Sequence, residues 1–176
     1  MTQPGSPDRP AELLGGLVRA AQRGDALAMN DLLDLLAPYV GRLCGPIALQ
    51  EGPDAAQEAL IAVFRGLGQL REPAALFGWV RAIAVREAVR VARRGQAGRT
   101  VAGALAAVPA PGDPQLAVDV RSVLARLAPE HRAVLVLRDL ERLDEQAAAA
   151  LLEVPRGTVK SRLSRARRSF RKEWQA

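Results

Sequence analysis

Apolar residues recur at helical spacing along two long stretches of the chain, from Glu12 to the Arg93-Arg94 pair and again from Leu116 onward. Neither stretch shows the strict alternation of apolar and polar residues that predicts a β-strand. Asp25 directly precedes one of the apolar runs, where its carboxylate can cap a helix. The pattern therefore predicts an all-α protein.

Two short regions interrupt the pattern and divide the chain. Residues 95–115 contain four glycines and three prolines, a composition typical of a flexible linker. Residues 1–11 are rich in proline, glycine and serine and predict a disordered tail. The chain is therefore expected to hold two small helical domains, at 12–94 and 116–176.

Glycine and proline also mark expected breaks inside the first domain. Gly45-Pro46 and Gly52-Pro53 predict a loop between the second and third helices. The third helix should end near Gly66, and a fourth should run from just after Pro73 to Arg94.

The second domain ends in two helices joined by a very short turn. Its four expected helical pieces are Ala117–Leu127, His131–Leu140, Asp144–Leu152 and Pro155–Trp174. Only Glu153, Val154 and Pro155 separate the third apolar pattern from the fourth. This arrangement predicts a helix-turn-helix motif.

The last helix is cationic around a single apolar stripe. The stripe has the spacing of one helix face and comprises Val159, Leu163, Ala166, Phe170 and Trp174. Eight Lys and Arg residues lie within 156–172, and no acid follows until Glu173. Groove-inserted helices contact bases and phosphates from their N-terminal half. The candidate DNA-binding residues are therefore Arg156, Thr158, Lys160, Ser161, Arg162 and Arg165; the alternative is a merely solvated basic face.

Charge favours an anionic partner, and composition argues against a catalytic site. The formal net charge is +6, and residues 116–176 account for +5 of it. Cys44 is the only cysteine and His131 the only histidine, which excludes an intramolecular disulfide and a Cys/His zinc cluster. No catalytic nucleophile, metal cluster or phosphate loop is recognisable, so we expect no enzyme activity, metal or cofactor.

No targeting segment or membrane-length apolar run is evident, so we expect a cytoplasmic protein without a membrane partner.

One face of the expected third helix carries polar residues and one exposed apolar side chain. Asp54, Gln57, Glu58 and Ile61 fall at i, i+3, i+4 and i+7. The opposite face is expected to be core, through Ala56, Leu60, Val63, Phe64 and Leu67. The acidic face could dock a basic partner, or its acids could simply complement the helix dipole; spacing alone leaves both open.

The second domain closely resembles one known family. The segment Gly157–Arg171 reads GTVKSRLSRARRSFR, and Leu127–Leu143 carries a matching upstream pattern of apolar and charged residues. Both resemble domain 4 of the extracytoplasmic-function (group IV) sigma factors of the sigma-70 type. The resemblance implies that the last helix binds the promoter −35 element and that this domain docks on the β flap of core RNA polymerase.

The first domain resembles sigma domain 2 more loosely. Arg23–Ala26 matches the opening helix signature, and Asp54–Glu58 stands where the family grips the β′ clamp helices. Trp79-Val80 and the residues after it resemble the helix that opens and reads the −10 element. The resemblance thus assigns −10 contacts to Trp79, Arg86, Arg90, Arg93 and Arg94. The local alternatives are a core aromatic for Trp79 and a solvated helix end for the arginines.

The chain departs from the family pattern at a few positions. Val85-Arg86 replaces the usual Arg-Asn pair, and Arg90 replaces a common acid. Glu153 replaces the usual glycine of the turn, which costs about 1–2 kcal/mol if the turn is left-handed. Ala148 and its alanine neighbours lack the usual bulky apolar residue, which predicts thin packing of the first helix of the motif.

These observations predict a sigma factor that directs promoter recognition and transcription initiation. Its expected partners are core RNA polymerase, through the β′ clamp helices and the β flap, and promoter DNA. The resemblance adds an anti-sigma factor, which no residue of this chain identifies. Two alternatives stay open: a polymerase-independent helix-turn-helix regulator, and a degenerate sigma homologue that acts as a protein-interaction module.

Overall fold

The computed structural model describes residues 9–98 and 114–175, and within those ranges it contains α-helices, short helical turns and no β-strand. The all-α prediction is confirmed. The N-terminal half comprises α1 Arg9–Gln22, α2 Ala26–Ala48, α3 Gly52–Gly66 and α4 Leu76–Gly98. The C-terminal half comprises α5 Pro114–Ala125, α6 Pro129–Leu135, α7 Glu145–Leu152 and α8 Arg156–Trp174.

The turn between α1 and α2 follows from two adjacent residues. Gly24 has φ 91°, a conformation that glycine adopts without steric cost. The Asp25 carboxylate then accepts hydrogen bonds from the backbone N–H groups of Leu27 at 3.0 Å and Ala28 at 3.1 Å. The predicted N-cap is confirmed.

Helix α2 is the central helix of the N-terminal half, and it is longer than predicted. Its residues Leu32, Leu36 and Val40 are fully buried against α1, α3 and α4. The predicted loop at Gly45-Pro46 is wrong, because α2 continues through both residues to Ala48. A Cβ atom on Gly52 would lie 3.1 Å from the Gly45 Cα atom. These glycines therefore allow two backbones to approach closely instead of marking a loop.

The region Ala26–Gln69 is apolar enough, by length and composition alone, to cross a membrane, with a mean hydropathy of 1.3 in its most apolar window. The core helix of a soluble protein passes the same test. Here the region contains two separate helices, α2 and α3, which pack against each other and against α4. Packing inside the fold therefore accounts for its hydropathy.

The helix boundaries differ from the predicted ones where composition was the guide. α1 already begins at Arg9, within the predicted tail, and residues 1–8 lie outside the described part of the chain. α4 continues four residues beyond Arg94 to Gly98, and α5 begins at Pro114. Proline suits the first turn of a helix, because its missing N–H would have no partner there. The remaining linker residues, 99–113, also lie outside the described residues.

The C-terminal half forms around α6 and α8, which pack against each other, with α7 against α8. After α6, a π-helical turn at Val136–Leu140 leads toward the helix-turn-helix. The buried apolar residues of both halves form one connected core. Arg132 lies within this core, fully buried at 0% exposure.

Candidate nucleic-acid and polymerase interfaces

The helix-turn-helix is built as the sequence predicts. α7 begins with Asp144, whose carboxylate accepts a hydrogen bond of 2.7 Å from the Ala147 backbone N–H. It ends at Glu153, which has φ 55° and ψ 43° and donates its N–H to the carbonyls of Ala149 and Ala150. The turn is therefore left-handed at a non-glycine residue, and α8 starts three residues later at Arg156.

Helix α8 is anchored along most of its predicted apolar stripe. Val159, Leu163 and Ala166 are buried, and Phe170 is half-buried. Trp174 is 45% exposed and stacks on Phe170 with a centroid distance of 6.0 Å. The stripe therefore ends as a surface aromatic pair, and the N-terminal half of α8 is the part held firmly in the core.

The candidate −35 residues lie outside that buried stripe, and one of them, Arg162, lines a cleft against α4. Arg156, Lys160, Ser161 and Arg165 are exposed, whereas Thr158 and Arg162 are half-buried. Arg156 pairs with Glu145 at 3.2 Å. The Ser161 hydroxyl donates to the Thr158 carbonyl at 3.1 Å. The surface is thus cationic and accessible, as a duplex-binding helix requires.

Helix α4 carries a row of four arginines at i, i+4, i+7 and i+8: Arg86, Arg90, Arg93 and Arg94. All four side chains are exposed. Trp79 lies earlier on the same helix and is partly buried against the core. A Cβ atom on Gly66 would come within 3.0 Å of the Trp79 ring atom Cζ2, so this ring rests directly on the end of α3.

Most of this arginine row already has acidic partners. Arg86 pairs with Glu153, and Arg93 pairs with Glu130, so both partners come from the C-terminal half. Although partial burial opposes ionisation of Glu130, hydrogen bonds from its own backbone N–H and from Arg93 hold the pKa of this carboxyl below its ordinary value. Glu130 is therefore charged and able to compete for the arginines.

The candidate polymerase face on α3 is exposed and adjoins the arginine row. Asp54, Gln57 and Glu58 are exposed, and Ile61 is 39% exposed. Glu58 lies 3.3 Å from Arg90, so a residue assigned to polymerase contact directly touches one assigned to the −10 element. The two candidate interfaces are therefore contiguous.

One residue of the predicted α3 core stripe belongs instead to the surface. Phe64 is 54% exposed, and the buried stripe of this helix runs through Ala55, Ala59 and Val63. Phe64 and Ile61 line an apolar groove with Leu33, Ala37, Pro53, Ala56, Gln57 and Leu60. The prediction for Phe64 is wrong because α3 is rotated by about one residue from the expected orientation. This groove extends the candidate docking face.

No group of three or more metal-ligating side chains occurs within the described ranges 9–98 and 114–175. Cys44 is buried in the N-terminal core, where its thiol lies 3.6 Å from the Ala84 carbonyl. The His131 imidazole is partly buried, which lowers its pKa, and Arg162 and Arg165 lower it further.

Comparison with known proteins decides the family. The family model described as sigma-70, region 4 matches residues 117–170. The chain is 31% identical to the ECF RNA polymerase sigma-E factor of Escherichia coli K12 over 172 aligned positions, which cover 88% of this chain and 90% of that protein. The chain belongs to the ECF RNA polymerase sigma factors. As a sigma factor, it acts in promoter recognition and transcription initiation.

Further similarities agree with this family. The sigma factor is 32% identical to the RNA polymerase sigma-H factor of Pseudomonas aeruginosa over 181 aligned positions, covering 90% of this chain and 92% of that protein. Its fold matches the sigma factor RpoE of Bartonella quintana, solved with the anti-sigma factor NepR, with a TM-score of 0.67, 21% identity and coverage of 84% and 96%. It also matches CnrH, solved with the cytosolic domain of CnrY, with a TM-score of 0.61 and 20% identity, covering 89% and 93%. These two structures confirm a fold of two helical domains.

Proposed function

We propose that this sigma factor divides promoter DNA and core RNA polymerase between the surfaces described above. The exposed N-terminal half of α8 contacts the −35 duplex, and the arginine row of α4 with Trp79 contacts the −10 element. The observation that carries this assignment is the geometry of α8, whose buried stripe orients a cationic face outward behind a three-residue turn. The corresponding boundaries are 12–94 for the −10 domain, 95–115 for the linker and 116–176 for the −35 domain.

The polymerase contacts are assigned to the α3 face and to the C-terminal half. Asp54, Gln57, Glu58 and Ile61 grip the β′ clamp helices, and the adjoining Phe64 groove supplies apolar area to the same contact. The C-terminal half docks on the β flap. The exposure of the acids and of Phe64 together supports docking over simple dipole complementation, because an exposed aromatic contributes nothing to a helix dipole.

The protein catalyses no reaction itself. It acts in the cytoplasm. Binding energy stabilises the separated promoter strands, while the polymerase carries the catalytic centre. An anti-sigma factor is a further expected partner. Its support comes from the two proteins of similar fold, because RpoE forms a complex with the anti-sigma factor NepR and CnrH forms one with the cytosolic domain of CnrY.

Reconstituted transcription tests the assignment as a whole. The full chain is combined with core RNA polymerase and a library of promoter fragments, and specific run-off transcripts are expected. Core binding without specific transcripts would favour an interaction module. Specific duplex binding without core association would favour a polymerase-independent regulator.

A charge reversal tests the α3 face separately. Glu58→Arg should weaken core binding at least about tenfold, as expected when a charged interface contact becomes repulsive. Duplex binding by α8 in the same full chain should not weaken. The control is Asp31→Arg, which makes the same charge change at an exposed position on α2. Equal losses of core binding in both variants would contradict the assignment.

A further inference from the structure

The last residue of α1 reaches the turn that follows α3. The side-chain Nε2 of Gln22 donates a hydrogen bond of 2.9 Å to the Leu67 carbonyl and one of 2.7 Å to the Leu70 carbonyl. Both N–H groups of this amide are thereby used, since only the donor end of the side chain can meet two carbonyl oxygens. Gln22 therefore ties α1 to a turn that begins 45 residues further along the chain.

The turn held by Gln22 is also fixed by its own residues. Leu67–Gln69 is a single 3-10 turn, and the Leu70 N–H closes it with a hydrogen bond of 3.1 Å to the Leu67 carbonyl. The Leu67 and Leu70 side chains are buried, whereas the two residues between them are exposed. The leucines hold the apolar side of the turn, and Gln22 holds its carbonyls. The backbone at the end of α3 therefore has a fixed position relative to α1.

The Trp79 ring rests on this backbone. A Cβ atom on Gly66, the residue before the turn, would lie 3.0 Å from Trp79 Cζ2 and 3.5 Å from Cη2. Because glycine has no side chain, the ring approaches the backbone directly. A shift of the turn would therefore move the surface that supports the ring.

Trp79 shares its helix face with most of the arginine row. Arg86, Arg90 and Arg93 follow it at i+7, i+11 and i+14, which are positions on one helical face. An aromatic ring that stacks on a nucleobase must present its plane in a defined orientation. The support under the ring is thus as relevant to a DNA contact as the ring itself.

We propose that Gln22 is a positioning residue for the −10 contact: by holding the Leu67–Leu70 turn, it holds the support of the Trp79 ring. The proposal rests on the proposed −10 role of Trp79. Gln22 acts through the turn and the ring and contributes no DNA contact of its own. Without its two hydrogen bonds, both carbonyls turn toward water, and the turn and the ring shift together.

The fluorescence emission of Trp79 tests the hold on the ring directly. The reference protein and all variants carry Trp174→Phe, which leaves Trp79 as the only tryptophan. Gln22→Met keeps the length of the side chain but removes its donors. The Trp79 emission of this variant should shift to longer wavelength and be quenched more strongly by acrylamide, because the ring gains contact with water. An unchanged emission would overturn the proposal.

Two further variants separate the lost hydrogen bonds from a general effect of substitution. Gln50 is an exposed glutamine between α2 and α3, so Gln50→Met should leave the emission unchanged. Gln22→Lys returns donors to the same carbonyls and should return the emission to that of the reference protein. Equal shifts in Gln22→Met and Gln50→Met would overturn the proposal, and so would a shift that persists in Gln22→Lys.

Binding to single-stranded DNA tests the consequence for the −10 contact. The full chain is titrated onto a short fluorescein-labelled oligothymidine, because stacking on aromatic rings tolerates any base. Gln22→Met should weaken this binding about fivefold, the effect of losing one weak base–aromatic stack. Duplex binding through α8 should stay unchanged, which shows that the variant is folded. Unchanged oligothymidine affinity, in a protein whose Trp79→Ala variant binds more weakly, would overturn the proposal.

A double-mutant cycle distinguishes the positioning role from the proposed function. If Gln22 acts through the ring, Gln22→Met should add less than about twofold to the loss caused by Trp79→Ala. A full additional loss would overturn the proposal. If Trp79→Ala itself leaves oligothymidine binding unchanged, the proposed −10 role of Trp79 fails, whereas the emission experiment still decides whether Gln22 holds the ring.

Discussion

Glu153 shows how far a single residue can be understood from its position in the chain. It stands where the resembled family carries a glycine, which indicates a left-handed turn, and the structure has that conformation. What the sequence alone does not contain is the partner of its side chain. Arg86 lies 67 residues away along the chain, and no local pattern connects the two.

Replacing Glu153 with glycine should stabilise the turn. Glu153→Gly relieves the left-handed strain. The lost exposed ion pair and the greater freedom of glycine in the unfolded chain offset part of this gain. The free energy of unfolding should therefore rise by about 1 kcal/mol in total. Chemical denaturation measures this change. Arg142→Gly is the matched control, because Arg142 has φ 54° and is also exposed. The gain for Arg142→Gly should exceed the gain for Glu153→Gly by up to about 1 kcal/mol, because the substitution at Arg142 removes no ion pair with the other half. A smaller gain at Arg142 than at Glu153 would contradict this account.

The single thiol should be unreactive in the folded protein. Burial raises the pKa of Cys44 to about 12, with the nearby Glu87 carboxylate as a smaller cause. At about pH 8 the thiolate fraction is then lower by roughly three orders of magnitude than for an ordinary cysteine, and the thiolate is the reactive form. Labelling with a maleimide, followed by mass spectrometry, should be slow in buffer and fast in denaturant. An exposed control thiol, Ser164→Cys, should react at once; equally fast labelling of native Cys44 would refute the burial.

At the scale of the helix, α8 is the element that sequence patterns describe best. Its start, its buried residues Val159 and Leu163, and its outward cations all follow from helical periodicity and charge. α2 and α3 are described less well. Gly45 and Pro46 have the composition of a loop, but α2 continues through both, and Gly45 leaves room for the close approach of Gly52. Phe64 is apolar yet exposed, because periodicity cannot separate a core face from an adjoining docking face.

The cations of α8 should contribute unequally to duplex binding. Lys160→Ala or Arg162→Ala should weaken binding to −35 duplex DNA and lower the salt slope by about 0.9 for each phosphate that the variant no longer neutralises. Affinity is measured by fluorescence anisotropy across a series of salt concentrations. Arg167→Ala removes the same charge at a position where the guanidinium pairs with Asp139. It should leave the slope nearly unchanged, and identical slopes for all three variants would argue against groove insertion by the N-terminal half of α8.

At the scale of the molecule, the division into two helical domains is predictable, whereas their contact is not. The glycines and prolines of 95–115 indicate where one helical domain gives way to the next, but they do not indicate which residues of the two domains contact each other. Arg132 illustrates the difficulty. In the sequence it is an arginine near the start of an apolar helix, and its full burial depends on the Ile47 carbonyl at the end of α2. Such a contact depends on tertiary packing, which local patterns do not specify.

The shared core predicts one unfolding event for both halves. Because the buried apolar residues form one connected cluster, calorimetry should show a single transition whose van't Hoff and calorimetric enthalpies agree. Arg132→Leu leaves the Ile47 and Leu127 carbonyls without this donor, a loss of about 3 kcal/mol. Its transition should split in two, because the halves no longer melt together. Two transitions in the wild-type protein would show that the contact between halves contributes little to stability.

Because the two halves belong to one chain, even a weak contact can hold them together. Only fifteen residues separate Gly98 from Pro114, so each half remains a tethered ligand of the other. Two sites joined by a connection this short meet at local concentrations on the order of millimolar. Contacts too weak to hold two free proteins together can therefore dominate here, and dilution has no influence on them. The balance between the joined and separated halves is therefore set by competition with other binding partners, and it shifts with their concentration and affinity.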